Sequence, residues 1–282
     1  MSQTNLSEKT AVITGGGGIL CGAMARALAD CGARVAVLDL REEAAAKVAN
    51  EICSRGGQAK GYACNVLEME SLRAANASIE ADFGPVDILI NGAGGNHPKG
   101  TTSKEYLTLD DLKNPSSDLI TFYDLEPEGI QFVFNLNLLG TLLPSQAFTR
   151  SMAEKQSGVI INISSMNAFT PLTKIPAYSG AKAAVSNFTR WLAVHLSKVG
   201  IRVNAIAPGF FVTDQNRRLL TDESGKLTPR GEVIIAHTPV GKFGQPDDLA
   251  GTLLWLADDN ASGFVTGTVI PVDGGFSAFS GV

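Results

Sequence analysis

Residues 10–39 read TAVITGGGGILCGAMARALADCGARVAVLD, and this stretch determines the fold. It begins with a short apolar run, 10–14, that ends in four consecutive glycines, and a helix-forming run follows at about 21–31. After Gly32, a second apolar run, 34–39, predicts a second strand. A strand, a glycine-rich turn, a helix and a second strand are the elements of a parallel β-α-β unit.

The alternation of strands and helices continues along the chain. We predict further helices at 41–55 and 68–82 and further strands at 58–63, 86–90, 158–163, 201–206 and 268–271. The strands read as continuous apolar runs, as expected when both faces of a parallel sheet are covered. The sequence therefore predicts an α/β fold: a single doubly wound, Rossmann-type parallel sheet with helices on both faces, in one domain over 1–282.

Two polar segments depart from this alternation. The first lies between Asn91 and Asn137 and is rich in Asp, Ser and Pro, and the second occupies about 209–238. Loops of this length inside a compact domain are usually functional covers or disordered. We expect the first segment, at about 96–130, to be an inserted substrate cover, and the second to be a loop of the same kind.

The composition excludes several classes of function. The 282 residues carry a net charge of −5, so no basic surface is expected for nucleic acid or for a membrane. The four cysteines and three histidines lack metal-ligand spacing, and the N-terminus has no signal-peptide core. We therefore expect no metal, no nucleic-acid or membrane partner, and a reducing, cytoplasmic location.

A second stretch, 165–182, reads SMNAFTPLTKIPAYSGAK and carries the candidate chemistry. Tyr178 and Lys182 are four residues apart, so they share one face of a helix. An ammonium at about 5 Å stabilises a phenolate by roughly 3 kcal/mol, or about two pK units, at an effective dielectric constant of about 20. We therefore expect Lys182 to lower the pKa of Tyr178 and to make it a general acid–base catalyst at neutral pH.

The glycine-rich turn predicts a dinucleotide site, because such a turn lets the backbone approach a pyrophosphate at the helix N-terminus. Asp39 ends the second strand, twenty-four residues after Gly15. A carboxylate in that place accepts hydrogen bonds from the adenosine ribose and repels a 2′-phosphate. The pattern favours NAD, although Arg41 could accommodate the 2′-phosphate of NADP.

Together these motifs resemble the short-chain dehydrogenase/reductase family over nearly the whole chain. Four runs are similar, more narrowly, to its D-mannonate oxidoreductase (fructuronate reductase) branch: NGAGGNHPKGTT, SSMNAFTPLTKIPAYS, NAIAPGFFVTDQNR and PVDGGFSAFSGV. The glycine motif of the family is Thr-Gly-x-x-x-Gly-x-Gly. Thr14 and Gly15 match it, whereas Ile19 and Cys21 stand at its two later glycine positions. The resemblance implies an NAD(H)-dependent oxidoreductase that interconverts D-fructuronate and D-mannonate.

The resemblance also implies four catalytic roles. Tyr178 would exchange a proton with the carbonyl oxygen of the substrate, and Ser165 would hydrogen-bond the same oxygen. Lys182 would bind the nicotinamide ribose and depress the pKa of the tyrosine. Asn137 would distort its helix and hold a water molecule that links Lys182 to solvent.

Two of these roles have a neighbouring alternative. Ser164 could face the site in place of Ser165, and Asn135 could replace Asn137. The spacing to Tyr178 favours Ser165, and the spacing to Gly140 and Thr141 favours Asn137.

The remaining candidates line the cofactor and the substrate. The predicted NAD-binding residues are Thr14, Gly15, Gly17, Gly18, Ile19, Asp39, Asn65, Val66, Asn91, Gly92, Ala93, Tyr178, Lys182, Pro208, Gly209 and Thr213. An open-chain hexuronate has one carboxylate and several hydroxyls, so its pocket needs a cation and several amides or hydroxyls. The predicted substrate-binding residues are Asn96, His97, Asn167, Lys174, Asn216 and Arg217, with Arg217 and Lys174 as candidate carboxylate partners.

Other functions are compatible with the same pattern. The substrate could be another carbonyl, such as a ketogluconate or a 3-oxoacyl thioester, and a non-catalytic dinucleotide-binding protein could share the fold. The Ser–Tyr–Lys set favours an enzyme, because a sensor has no need of a general acid. Family members are commonly tetramers, so the resemblance implies a homotetramer.

Overall fold

The computed structural model describes residues 4–213, 217–222 and 224–281. Within them, seven strands form one parallel sheet in the order β3-β2-β1-β4-β5-β6-β7. The strands are β1 Thr10–Thr14, β2 Arg34–Asp39, β3 Gln58–Ala63, β4 Ile88–Asn91, β5 Gly158–Ile163, β6 Ile201–Pro208 and β7 Val269–Val272. The chain winds from β1 toward one edge and then returns to wind toward the other, which confirms the predicted doubly wound, Rossmann-type fold.

Twelve α-helices are found in the described residues. They are α1 Ile19–Asp30, α2 Glu42–Ser54, α3 Met69–Phe83, α4 Leu109–Lys113, α5 Pro127–Phe134, α6 Gly140–Phe148, α7 Arg150–Glu154, α8 Pro176–Leu196, α9 Arg217–Leu220, α10 Pro229–Ala236, α11 Ala250–Ala257 and α12 Asp259–Ser262. None of the helices in the described part of the chain is long and apolar enough to cross a lipid bilayer.

The helices cover both faces of the sheet. Helices α1, α2 and α11 pack on one face, and α3, α6 and α8 pack on the other. Successive residues of β1, such as Val12 and Ile13, belong to opposite faces and are fully buried. Burying each such side chain contributes about 1.5–3 kcal/mol, so the two apolar layers hold the central strands rigidly in place.

The predicted strands begin and end within two residues of the observed ones. The largest differences are at β4, which was predicted at 86–90, and at β6, which continues to Pro208. Helix α8 begins at Pro176, two residues before Tyr178. Proline suits the first turn of a helix because its missing N–H has no intrahelical acceptor there.

The insert 96–130 is built from short pieces. It contains α4, the beginning of α5 and two 3₁₀ turns, Pro98–Gly100 and Phe122–Asp124. Its outer part closes on itself, because Ser103 N–H donates to the Ile120 carbonyl at 2.8 Å and Ile120 N–H donates to Ser103 Oγ at 2.9 Å. The two ends of the outer part of the insert thus meet at Ser103 and Ile120.

The base of the insert lies against the start of α8. Gly100 is buried, and a Cβ built on it would lie 3.5 Å from Cβ of Ala177, the residue before Tyr178. The N–H of Thr102 donates to the carbonyl of Lys174 at 2.8 Å. The insert is therefore fastened to the segment that leads into the candidate tyrosine.

Candidate active site

The candidate residues gather at the carboxyl edge of the sheet. Asp39 ends β2, Asn91 ends β4, Ser165 follows β5 and Pro208 ends β6. In an open parallel sheet, ligands bind outside the carboxyl ends of the strands where the strand order reverses. Here that point lies between β1 and β4, which are hydrogen-bonded neighbours.

The glycine-rich turn forms one wall of the crevice. Gly15 has φ +64°, and a Cβ on it would lie 3.0 Å from the backbone of Ala93. Gly18 caps α1 without a side-chain hydrogen bond, and no acidic residue occupies the first turn of this described helix. The N–H groups at this end are therefore free to bind an anion such as a pyrophosphate.

Asp39 lies beside this turn and is held in place by two backbone groups. Its Oδ2 accepts from Gly17 N–H at 3.1 Å, and its Oδ1 accepts from Arg41 N–H at 3.1 Å. The carboxylate is thereby fixed next to the place where an adenosine ribose would lie. A 2′-phosphate would meet this fixed negative charge.

The loop after β4 forms the opposite wall. The hydroxyl oxygen of Thr14 accepts from Gly92 N–H at 3.0 Å and from Ala93 N–H at 3.2 Å. These bonds hold the loop across the end of β1. Three of the predicted NAD-binding residues thus form one continuous backbone surface at the carboxyl edge.

Three other predicted NAD-binding residues are held by contacts within the protein. Asn91 is buried, and its amide group donates to Ser145 Oγ and Asn162 Oδ1 at 2.9 and 2.8 Å. Val66 is buried, and the side chain of Asn65 hydrogen-bonds within its own loop. The side chains of Asn91 and Asn65 thus form hydrogen bonds within the protein itself.

The two positions that depart from the glycine motif lie on α1. Ile19 is partly exposed, whereas Cys21 is buried under the loop after β4, with its Sγ 3.7 Å from the Gly92 carbonyl oxygen. Burial raises the pKa of the Cys21 thiol to about 12, although the nearby charge of Lys182 lowers it. Cys21 is not among the predicted site residues, and the one sign of its role in the sequence is that it stands at a glycine position of the family motif.

The structure brings Ser165, Tyr178 and Lys182 together. Tyr178 lies in the first turn of α8, and Lys182 is buried one turn later. The Nζ atom of Lys182 donates to the Ile163 carbonyl at 2.8 Å and lies 5.7 Å from the centroid of the Tyr178 ring. The side chain of Ser165 hydrogen-bonds Tyr178, and Ser165 Oγ accepts from Asn167 N–H at 3.2 Å.

The prediction that the pKa of Tyr178 is lowered is wrong. Burial raises the pKa of Tyr178 above its ordinary value of 10.0, and the hydrogen bond with Ser165 lowers it to a smaller extent. Burial also lowers the pKa of Lys182 to about 8. The reason is that both side chains lose hydration, while the ammonium group donates to the Ile163 carbonyl instead of to the phenol.

Asn137 lies in a π turn, 135–139, between α5 and α6. Its amide group donates to the Gly95 carbonyl at 2.7 Å, and its Oδ1 accepts from Gly95 N–H at 3.3 Å. A Cβ built on Gly94 would lie 2.7 Å from Asn137 Oδ1 and 3.0 Å from Lys182 Nζ. Asn137 and Lys182 therefore flank the same glycine, and the helix is distorted as the resemblance implies.

The two neighbouring alternatives face elsewhere. Asn135 is exposed, whereas Asn137 is fully buried. The Ser164 hydroxyl donates to the Lys182 carbonyl at 3.2 Å and lies 2.7 Å from Ser186 Oγ. Ser164 therefore packs against α8, and Ser165 contacts the tyrosine.

The loop after β6 lies at the same edge. Gly209 N–H donates to the Val272 carbonyl at 3.0 Å, and a Cβ on Gly209 would lie 2.6 Å from Cα of Asp273. The Thr213 carbonyl accepts from the N–H of Arg217, the first residue of α9, at 2.8 Å. The glycine allows this loop to pass close to β7.

Two predicted substrate-binding residues lie between Ser165 and Tyr178. Asn167 is buried, and its Oδ1 has no hydrogen-bond partner among the described residues. Lys174 has φ +72°, a left-handed conformation that costs a non-glycine residue about 1–2 kcal/mol. The hydrogen bond from Thr102 to its carbonyl holds it there.

Of the other predicted substrate-binding residues, Asn96, His97 and Arg217 lie in the described part of the chain. Asn96 and His97 hydrogen-bond within their own loop at the start of the insert. Arg217 is exposed at the beginning of α9, and Asn216 lies outside the described residues. No group of three potential metal ligands occurs in the described ranges.

Comparison with known proteins agrees with this geometry. A family model for short chain dehydrogenase matches residues 9–224. The chain belongs to the short-chain dehydrogenase family. This short-chain dehydrogenase is 59% identical over 278 residues to an uncharacterised oxidoreductase from Haemophilus influenzae, with 99% of this chain and 96% of that protein covered. It is 52% identical over 278 residues to the uncharacterised oxidoreductase UxuB from Bacillus subtilis, with 99% and 98% covered.

A solved structure gives the same result for the fold and the cofactor. The short-chain dehydrogenase is similar to a candidate D-mannonate oxidoreductase from Haemophilus influenzae with bound NAD, at a TM-score of 0.93 and 59% identity. The alignment covers 99% of this chain and 98% of that one. The protein is an NAD-dependent oxidoreductase, and the open N-terminus of α1 and the fixed carboxylate of Asp39 fit that cofactor.

Proposed function

We propose that this short-chain dehydrogenase interconverts D-fructuronate and D-mannonate. The observation that supports this substrate most directly is the hydrogen bond from Thr102 to Lys174, which fastens a polar insert to the segment before Tyr178. The insert and this segment carry the amides, hydroxyls and lysine that we expect to border the reacting end of the site. A sugar acid needs such groups, and the 59% identity to a candidate D-mannonate oxidoreductase points to the same substrate class.

The charges of the insert indicate which group binds the carboxylate. Segment 96–130 contains three lysines and seven acidic residues. Lys99 is paired with Glu126, and Lys104 is paired with Asp111, each at 2.6 Å. The insert thus offers an anionic substrate hydrogen bonds but no net positive charge.

The cation is therefore expected beside the insert. Lys174 and Arg217 form no ion pair with any residue that the structure describes. Lys174 lies four residues before Tyr178, on the strand-to-helix connection that borders the reacting carbonyl. We assign the substrate carboxylate to Lys174, with Arg217 as a second partner from α9.

Four residues carry the proton chemistry in this proposal. During reduction, Tyr178 donates its phenolic proton to the carbonyl oxygen of the substrate, and Ser165 donates a hydrogen bond to that oxygen as negative charge develops on it. Lys182 stabilises the resulting phenolate, and Asn137 holds the Gly94–Gly95 backbone against the ammonium group. When bound, NADH supplies the hydride.

The principal alternative is another carbonyl substrate. A 3-oxoacyl thioester would want an apolar groove, whereas the base of the insert, which lies against α8 at Gly100, carries the Lys99–Glu126 ion pair. A ketogluconate presents a carboxylate and hydroxyls and would use the same groups. The substrate assignment therefore depends on the arrangement of hydroxyls, and a direct assay decides it.

The experiment uses the purified protein with NADH and a set of ketones, and it follows NADH absorbance. We expect D-fructuronate to be reduced with a higher kcat/KM than D-tagaturonate, 5-ketogluconate or an acetoacetyl thioester. A misplaced hydroxyl leaves polar groups of the site unpaired, which lowers kcat/KM by up to about 10⁴-fold. No turnover of D-fructuronate together with reduction of a thioester or a neutral ketose would reject the assignment.

A further inference from the structure

The sulfur of Cys21 occupies the space that a side chain at Gly92 would need. A Cβ built on Gly92 would lie 2.3 Å from Cys21 Sγ, but 3.7 Å from Cys21 Cβ. It would also lie 2.8 Å from the Thr14 carbonyl oxygen. Cys21 on α1 and Gly92 in the loop after β4 are therefore complementary in size at this contact.

The loop at this contact connects the two ends of the site. At one end, Gly92 N–H and Ala93 N–H donate to the hydroxyl of Thr14, beside the glycine-rich turn. At the other end, Gly94 lies against Asn137 and Lys182. The side chain beneath Gly92 thus determines how closely the loop can approach α1 on the cofactor side.

We propose that Cys21 is a positioning residue for NAD: its sulfur holds the Gly92–Gly94 loop at the distance from the glycine-rich turn that the dinucleotide needs. The chain has a cysteine where the family motif has a glycine, so a side chain sets the spacing here. Gly92 is the complementary residue, because any side chain there would meet the sulfur.

The chemistry of the thiol supports this role. Cys21 is buried, and its thiol donates to the Gly92 carbonyl at 3.7 Å. Burial raises the pKa of the thiol to about 12, so the group stays protonated and keeps its donor at neutral pH. A protonated, buried thiol in contact with a backbone carbonyl packs as a small apolar side chain with one weak hydrogen bond.

The first test is Cys21→Ala with Cys31→Ala as the matched control. Cys31 caps the other end of α1 and does not contact the loop. The dissociation constant of NADH is measured by fluorescence titration, and the melting temperature is measured without cofactor. We expect Cys21→Ala to weaken NADH binding about tenfold, because the loop loses its support. The kcat at saturating NADH should change less than the affinity does.

Cys21→Ser provides the conservative variant. Serine keeps a hydroxyl donor for the Gly92 carbonyl and leaves a smaller void than alanine does. Its NADH affinity should therefore lie between that of the wild-type protein and that of Cys21→Ala. Equal NADH affinities for Cys21→Ala and Cys31→Ala would overturn the proposal, even if both variants melt at a lower temperature.

The second test is a double-mutant cycle with Gly92→Ala. In the wild-type background the new methyl group meets the sulfur, so NADH binding should weaken strongly. In the Cys21→Ala background the penalty should fall several-fold, but not to zero, since the contact with the Thr14 carbonyl remains. Identical penalties in both backgrounds would contradict the proposal. If Gly92→Ala does not fold, the affinities of the Cys21 variants alone decide.

Discussion

The ammonium group of Lys182 lies 5.7 Å from the centroid of the Tyr178 ring and donates its hydrogen bond to the carbonyl of Ile163. The two catalytic candidates are thus neighbours, but the lysine is tied to the end of β5. Burial raises the pKa of the phenol and lowers the pKa of the ammonium to about 8. Protons released by such neighbours have apparent pKa values that belong to the pair.

This relationship predicts the pH dependence of the reaction. Oxidation of the alcohol needs the pair to accept a proton, so its kcat/KM should rise with pH up to about 8, where Lys182 titrates. Reduction needs the pair to hold that proton, so its kcat/KM should fall over the same range. Profiles in both directions at saturating cofactor would check this, and Lys182→Met should move the oxidation midpoint upward. An unchanged midpoint would show that Lys182 does not contribute to the titration that controls oxidation.

Tyr178→Phe should remove the general acid and leave the fold intact. We expect turnover to fall by about 10²–10⁴-fold, the usual contribution of acid–base catalysis, while NADH affinity stays within about twofold. Tyr123→Phe is the matched control, because Tyr123 is exposed on the insert. Turnover of Tyr178→Phe within a few-fold of wild type would remove Tyr178 from this role.

Asp39→Ala should raise the use of NADPH relative to NADH. The carboxylate that faces a 2′-phosphate is lost, and so is the acceptor for Gly17 N–H, so NADH binding should also weaken. The ratio of kcat/KM for the two cofactors is the measurement, with Asp30→Ala at the exposed end of α1 as the control. A ratio that does not move would mean that Asp39 does not select the cofactor.

The outer part of the insert can be removed at its own closing point. Since Ser103 and Ile120 are hydrogen-bonded, residues 104–119 can be replaced by two glycines, as in a short hairpin. We expect KM for the sugar acid to rise at least about tenfold and the NADH dissociation constant to stay within about twofold, as for a substrate cover. Equal losses in both constants would identify the segment as a structural or subunit contact.

Lys174 should show opposite effects on stability and on substrate binding. Lys174→Gly relieves the left-handed strain, so the free energy of unfolding should rise by about 1 kcal/mol. The same change removes the carboxylate partner, so KM for the sugar acid should rise about tenfold. Lys174→Arg should restore KM, and Lys198→Ala, at an exposed lysine after α8, is the control for a surface lysine. An unchanged KM in Lys174→Gly would leave Arg217 as the carboxylate partner.

The parts of the molecule that the sequence predicts well are those determined by local patterns. Buried parallel strands read as continuous apolar runs, so β1 to β7 were located within two residues. The spacing of Tyr178 and Lys182 placed them on one face of α8, and the order of β5 and α8 brought Ser165 to them.

The rest depends on contacts between distant parts of the chain. The pKa of Tyr178 follows from burial, which no spacing reveals. Cys21 and Gly92 are 71 residues apart, so their fit becomes visible only when β1 and β4 are paired. The hydrogen bond from Thr102 to Lys174 likewise joins two irregular segments, the insert and the connection before α8. Neither segment has a periodic sequence pattern from which this contact could be predicted.

The two hydrogen bonds that Thr14 accepts from the loop after β4 also bear on how the protein folds. They close a stretch of 78 residues, and closing it costs chain entropy before the native contacts compensate. The crevice is complete only when β4 lies between β1 and β5. Cofactor that binds only the completed sheet stabilises it by about 2.7 kcal/mol at a free concentration one hundred times the dissociation constant. Bound NAD should therefore also slow proteolysis of the protein, since it lowers the population of unfolded chains.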